Sequence, residues 1–331
     1  MFAWTCATVG YFDPALLDCI AARALGSLAH FNAQDLGNLM YAYAQLDHPH
    51  GQLVREVTER FVSDEAMLRD DDACVSIAWA NLAIGQYPLP LLEHLMEPNR
   101  VRCVIETGDQ NSLNFLLRLQ VLLAAEQPHL DLSLPHGSAV FARALLLSRW
   151  SHPRSKLLTS ITNALSKITG SDSNFTLEAL TTSLHFIDIE IMLDDRGNPI
   201  PVPNHWRSWA DLQSLIDSPL LCPRLQDLLR NQVSRREVTE PDQSFSLASD
   251  WAKLVGGSLE GVARRVAVEV DGPWHYAANC THTLGKTLLK HRILRCLGWT
   301  VISIPYFEWQ ELKSKQAQVE FLRTKLFTTC H

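Results

Sequence analysis

The sequence contains no Cys-x-x-Cys pair: its eight cysteines, Cys6, Cys19, Cys74, Cys103, Cys222, Cys280, Cys296 and Cys330, are scattered. That excludes the common structural zinc patterns and a thioredoxin-type redox site, and leaves reduced, mostly buried thiols as the expectation. Long apolar runs are also missing. A membrane-spanning helix needs roughly 18 uninterrupted apolar residues, and the richest stretch, Val140 to Trp150, is broken by Arg143 and Arg149. No membrane partner is expected. Met1 to Gly10 has no basic leader, so no secretory signal is expected, and no Arg- and Ser-rich transit segment is visible. A stacked helical array normally needs a polar end cap, so the chain is expected to begin inside a longer protein.

Positive charge is in short supply as well. Twenty-nine Lys and Arg against 36 Asp and Glu give a net charge of -7, which excludes a uniformly basic nucleic-acid binder. The shortage is local. Ten Lys or Arg face five Asp or Glu between Arg264 and His331, a net +5 that leaves -12 for residues 1 to 263. Phosphate contacts are therefore expected at the basic end.

What is present suffices for two domains with real cores: 331 residues, 47% of them hydrophobic. The first half repeats with a period near 38 residues. Trp4, Tyr41 and Trp79 are equivalent, as are Val9, Leu46 and Ile84, at offsets of 37 and then 38. A second apolar patch follows in the same register at Leu16-Leu17, Leu53-Val54 and Leu91-Leu92, so each unit reads as a helix pair. Asn32 and Asp70 each stand nine residues before the repeated aromatic, where a short polar side chain caps a helix. A weaker fourth copy is expected over Leu113 to Leu132. Helix pairs with one apolar stripe bury it by stacking, so an alpha-solenoid is expected over an ordinary bundle, with the small residues Ala42, Ala44, Ala78 and Ala80 allowing close approach. The repeated Trp and Tyr are expected to be core rather than a base-stacking surface.

Pro153 marks a boundary at 151 to 154, giving a helical-repeat domain over 1–150 and a second domain over 151–331. Lys156 to Ile168 reads as an amphipathic helix and Thr176 to Leu193 as two strands, the second carrying Asp188 amid apolar neighbours. Helices are expected at Trp206 to Ile216 and Pro223 to Gln232, and Val238 to Ser249 reads as flexible. A strand at Arg265 to Asp271, a helix over Thr283 to Leu297 stopped by Gly298 and a strand at Thr300 to Pro305 complete the pattern. Cys280, His275 and His282 lie close together; metal ligation and simple packing with hydrogen bonding are the alternatives there.

The run Arg265-Val-Ala-Val-Glu269-Val-Asp271-Gly-Pro-Trp-His275, together with Thr287-Leu-Leu-Lys-His-Arg292, Leu297-Gly-Trp299 and Ile304-Pro-Tyr-Phe-Glu-Trp309, resembles a RAP domain. The repeats resemble octotricopeptide or heptatricopeptide arrays over residues 1 to about 132. The resemblance implies a helical solenoid followed by a restriction-endonuclease-like αβββαβ core, in an RNA-binding protein of organellar RNA processing, stability or translation. It makes residues 194–264 an insertion in that core. It implies single-stranded RNA and an organellar ribosome or RNA-processing machinery as partners, and a mitochondrial rather than a chloroplast location. In physical terms Lys286, Lys290, Arg292 and Arg295 offer phosphate-binding charge, and Trp274, Tyr276, Tyr306, Phe307 and Trp309 offer stacking rings. The alternative is that the charges solvate a helix face while Trp299, Tyr306 and Trp309 fill the core.

In the restriction-endonuclease-like core an aspartate and a Glu-x-Lys pair hold a divalent cation beside the scissile phosphate, as hard oxygen ligands must. The resemblance makes Asp188 and Glu269 the metal ligands for Mg2+ or Mn2+, and Asp271 and His275 further catalytic candidates. Asp271 stands where that pattern has its lysine. A metal-dependent nuclease is thus one alternative function, a structural subunit of an organellar ribosome another, and architectural carboxylates within a binding fold the plain reading of the same residues.

Overall fold

The computed structural model describes residues 2–147, 155–181, 183–202 and 261–328. The expected boundary at 151 to 154 and the elements expected between 206 and 249 lie outside them. The fold is helical in its first half and a mixed sheet with helices in its second. Two compact units result. One comprises Met1–Cys103 with Pro273–Arg292, the other Val104–Gly272 with Ile293–His331.

The first unit is built from helix pairs: α1 (Phe2–Val9) with α2 (Pro14–Leu25), α3 (Ala33–Gln45) with α4 (Gly51–Val62), and α5 (Asp71–Ala83) with α6 (Leu89–Leu95). Both expected caps are in place. Asn32 accepts from Asp35 N at 2.8 Å, and the Asp35 carboxylate returns the bond to Asn32 N, a reciprocal capping box. Asp70 accepts from Ala73 N at 3.0 Å. Each such cap is worth about 1 kcal/mol. The first helix of every pair ends on a left-handed residue, Gly10, Asp47 and Gly85, at φ of 70°, 47° and 77°. These sit one residue after Val9, Leu46 and Ile84, so the period extends to backbone conformation.

The first helices pack in series, α1 on α3 and α3 on α5. Ala42, Ala44, Ala78 and Ala80 are all buried, and at Gly37 a side chain would come within 3.1 Å of the Ala73 backbone. The repeated aromatics correct the expectation that they are core. Trp4 is 44% and Tyr41 36% exposed, Trp79 is half-buried, and the Tyr41 and Trp79 rings lie 5.4 Å apart. The inward positions of α3 go instead to Leu36, Met40 and Tyr43, which leaves residue 41 on the outer side.

The helices α7 (Pro98–Thr107), α8 (Gln110–Glu126) and α9 (Gly137–Leu147) follow, with α8 packed on α9. Then come α10 (Lys156–Thr169), β1 (Phe175–Leu180), β2 (Phe186–Leu193), β3 (Pro199–Ile200), β4 (Arg264–Asp271), α11 (Gly285–Cys296), β5 (Thr300–Pro305), α12 (Tyr306–Glu311) and α13 (Lys315–Thr328). The sheet runs β1-β2-β4-β5, with β3 on β2; β1, β2 and β4 pair antiparallel, β4 and β5 parallel. Strand alternation sends Ile189, Ile191, Val266, Val268, Ile302 and Ile304 to one face. There Leu158, Ile161 and Leu165 of α10 and Leu322 and Leu326 of α13 cover them. Each such fully buried aliphatic side chain contributes roughly 1.5–3 kcal/mol. Trp309 belongs to this core, and its indole N–H donates to Ser160 Oγ at 3.2 Å.

Candidate functional site

The other face of the sheet is acidic. On β4 the alternation that turns Val266 and Val268 into the core turns Arg265, Ala267, Glu269 and Asp271 to this opposite side. Glu269 is 0% and Asp271 1% exposed, although burying an ionised carboxylate costs several kcal/mol unless it is compensated. The parallel register sets Glu269 beside Ser303, and the Ser303 hydroxyl donates to Asp271 Oδ2. Carboxylate oxygens of Glu269 and Asp271 lie within 4.8 Å of each other, close enough for two hard ligand atoms to share one divalent ion.

Asp188 stands next to them on β2 in a different state. The β2–β4 ladder ends at Ile189↔Val268, and the half-buried Asp188 carboxylate accepts from Val270 N at 2.7 Å, replacing the backbone carbonyl that the next pairing would use. The strands part at this carboxylate. Two residues further, buried Glu190 pairs with Ala267 on the acidic face. Burial pushes the Arg265 guanidinium below its usual range, opposed in part by the nearby Glu190 charge. Arg265 donates to Leu297 O at 2.7 Å and lies 4.4 Å above the Trp299 ring.

The segment from Pro273 to Arg292 carries most of the remaining candidates, and three helix pairs of the first unit organise it. Ala278 N donates to Gly10 O at 2.7 Å. Asn279 both accepts from Phe12 N and donates to Phe12 O, at 2.9 and 2.8 Å. His282 stacks on Phe12 with ring centroids 3.7 Å apart, and its Nε2 bonds Leu46 O at 2.7 Å. A side chain at Gly285 would sit 1.8 Å from Ala44 O, so only glycine fits. Arg292 donates to Leu82 O at 2.6 Å and to the Tyr87 hydroxyl at 3.0 Å. The three turns of three successive helix pairs are each met by one part of this segment.

Among the RNA-binding candidates, Lys286, Arg295 and Trp274 face solvent, Trp274 at 85% exposure. Lys290, Tyr306 and Phe307 are half-buried, and Tyr276 and Trp309 are buried. His275 Nδ1 bonds Thr287 Oγ1 at 3.1 Å. His282 packs and hydrogen-bonds while Cys280 is exposed, which favours packing over metal ligation at that trio.

Sequence reasoning passed over Ser303, Asn279 and His291. Buried His291 lies on α11 one turn before Leu294, which packs on Ala267; with Thr287, Leu288 and Arg295 a turn away, its burial has no signal in the helix pattern.

Residues 268–325 match the RAP domain, and residues 116–201 match the family described as FAST kinase-like protein, subdomain 2. The chain is 44% identical over 87 residues to FAST kinase domain-containing protein 3, mitochondrial, of Homo sapiens, covering 26% of this chain and 13% of that protein. It is 28% identical over 165 residues to FAST kinase domain-containing protein 1, mitochondrial, of Mus musculus, covering 49% and 16%. It is 22% identical over 327 residues to a RAP domain-containing protein, chloroplastic, of Oryza sativa subsp. japonica, covering 93% and 48%. The matches thus span less than half the length of each of these relatives.

Proposed function

We propose, on the premise that the chain carries a RAP domain at 268–325, that this protein binds single-stranded RNA in an organelle and serves RNA processing, stability or translation there. The observation that carries the reading is the RAP match falling on the basic end of an otherwise acidic chain. Lys286 and Arg295 are exposed cations on α11, and Trp274 is an exposed ring fit for stacking on an unpaired base. We take the helix pairs as a solenoid segment and the sheet with α10 and α11 as a restriction-endonuclease-like core. The names of the FAST kinase domain-containing relatives favour the mitochondrion. Titration of labelled single-stranded RNA at several salt concentrations tests the reading: binding should tighten at low salt, and no binding to any RNA pool would overturn it.

The paired oxygens of Glu269 and Asp271 favour a second reading, a divalent-metal nuclease. A bound Mg2+ or Mn2+ would lower the pKa of an attacking water and neutralise charge on the phosphate. The lysine of that chemistry is absent, Asp271 standing in its place. Cleavage of RNA or DNA by the purified protein with Mg2+ or Mn2+, lost in Asp188→Ala/Glu269→Ala, would establish it; equal cleavage by both proteins would mark a contaminant.

A further inference from the structure

We propose that the cleft between α4 and α5 is a nucleobase pocket, a site for one unpaired base of the RNA; the inference rests on the RNA-binding reading. The period of the helix pairs makes Tyr43 and Asn81 equivalent, 38 residues apart, as are His48 and Gln86, while Asp18 corresponds to Arg55 and Ala21 to Thr58 at 37. Between α2 and α3 the space is closed. The Tyr43 ring, 1% exposed, fills it and donates its hydroxyl to Leu17 O, and His48 bonds Asp18 across the mouth at 2.8 Å. Between α4 and α5 a carboxamide replaces the phenol ring, the neutral Gln86 cannot form an ion pair with Arg55, and a cleft of about 440 Å3 opens. That volume falls in the range of small-ligand sites.

The floor is polar and underused. Asn81, 1% exposed, spends both amide hydrogens on Thr58 Oγ1 at 3.0 Å and Ile77 O at 2.8 Å. Its oxygen meets the Thr58 hydroxyl at 3.5 Å, the outer limit of a hydrogen bond. A buried carbonyl oxygen so lightly engaged gains from an N–H donor, and base edges present such donors in a plane. Gln86 and Tyr87 line the side, and the Arg292 guanidinium fixes the Tyr87 hydroxyl.

Charge points to a base rather than a phosphate. Arg55 and Glu59 stand one helical turn apart at the rim and cancel. Residues 1 to 103 hold six Arg and no Lys against thirteen Asp or Glu, and Lys286, Lys290 and Arg292 of Pro273–Arg292 still leave the unit at -4, which gives a phosphate no net attraction. A neutral planar heterocycle is the part of RNA that this cleft can accept.

The test is Asn81→Tyr in the full chain, which restores the residue of the preceding pair and fills the cleft. Fluorescence anisotropy with a labelled, mixed-sequence single-stranded RNA should show roughly tenfold weaker binding than wild type, with the circular dichroism spectrum unchanged. Undiminished binding by a folded Asn81→Tyr would overturn the pocket and leave the RNA-binding reading intact; a wild type that binds no RNA would overturn both. Should Asn81→Tyr fail to fold, photocrosslinking of wild type with 4-thiouridine RNA decides. An adduct on the peptide containing Gln86 and Tyr87 supports the pocket, and adducts confined to residues 273–328, or none, overturn it.

Discussion

The imidazole of His282 lies flat on the ring of Phe12, planes 5° from parallel, while its Nε2 bonds the carbonyl that ends α3, the first helix of the next pair, Leu46 O. One side chain thereby ties two helix pairs of the first unit. The rest of the Pro273–Arg292 segment continues the same work, which makes its fit to the helices the first thing mutations can probe.

Gly285→Ala should be strongly destabilising, because the added methyl would overlap the Ala44 carbonyl, a backbone atom that no side-chain rotation can move away. A loss on the order of 1–3 kcal/mol is expected from such overpacking. Urea denaturation reads it directly, and stability equal to wild type would mean that the segment does not seat on α3.

Asp47→Asn should stabilise the protein at pH 7. Burial pushes the Asp47 carboxyl up, with the charges of His282 and His48 pulling the other way. A carboxyl with a raised pKa binds its proton more tightly in the folded chain, so it favours folding at low pH and that contribution is lost as pH rises through its folded pKa. Asparagine removes the charge and tolerates the left-handed backbone at this position. The gain should be under about 1 kcal/mol for a group that is only half-buried, and should vanish in melting curves recorded below about pH 4.

The cations of α11 should separate into two kinds. Lys286→Ala and Arg295→Ala remove exposed charge and should weaken RNA binding several-fold, each lowering the slope of log affinity against log salt by about 0.7 for every phosphate that its cation neutralises. Arg292→Ala should instead cost about 1.5–3 kcal/mol of stability, since its guanidinium donates to Leu82 O and Tyr87. Parallel salt titrations and thermal melts of the three variants check the division.

Glu269→Gln/Asp271→Asn should abolish any specific Mn2+ binding, because the two carboxylates supply the charge that a divalent ion needs. Electron paramagnetic resonance of Mn2+ titrated into wild type and variant measures it. Identical curves would assign the pair to architecture.

Much of this was legible in the sequence, and the limits have physical causes. The 37 and 38 residue offsets located the helix pairs, and Asn32 and Asp70 cap where their spacing placed them, since capping is a local interaction between residues three apart. Which side of a helix an aromatic takes is not local. Tyr41 and Tyr43 are two residues apart and the same residue type, yet Tyr43 is buried and Tyr41 is not, because their neighbours in space decide. Asp188 and Glu269 are legible as strand carboxylates from the apolar residues around them. That Asp188 ends the ladder by accepting from Val270 depends on the register of two strands separated by a long stretch of chain. The residues of 273–292 offer charge and rings suited to phosphate and base contacts, but several of them are engaged with helices near the start of the sequence, a partnership that no spacing encodes.

The left-handed turns at Gly10, Asp47 and Gly85 each lie against or beside a partner from Pro273–Arg292, at intervals matching the repeat. The segment therefore works as a gauge. A residue inserted into or deleted from the chain between any two turns would shift one of these meetings out of register with the others, so the length of the repeats is held constant by a strip of chain far from them in sequence, even where their side chains are free to change.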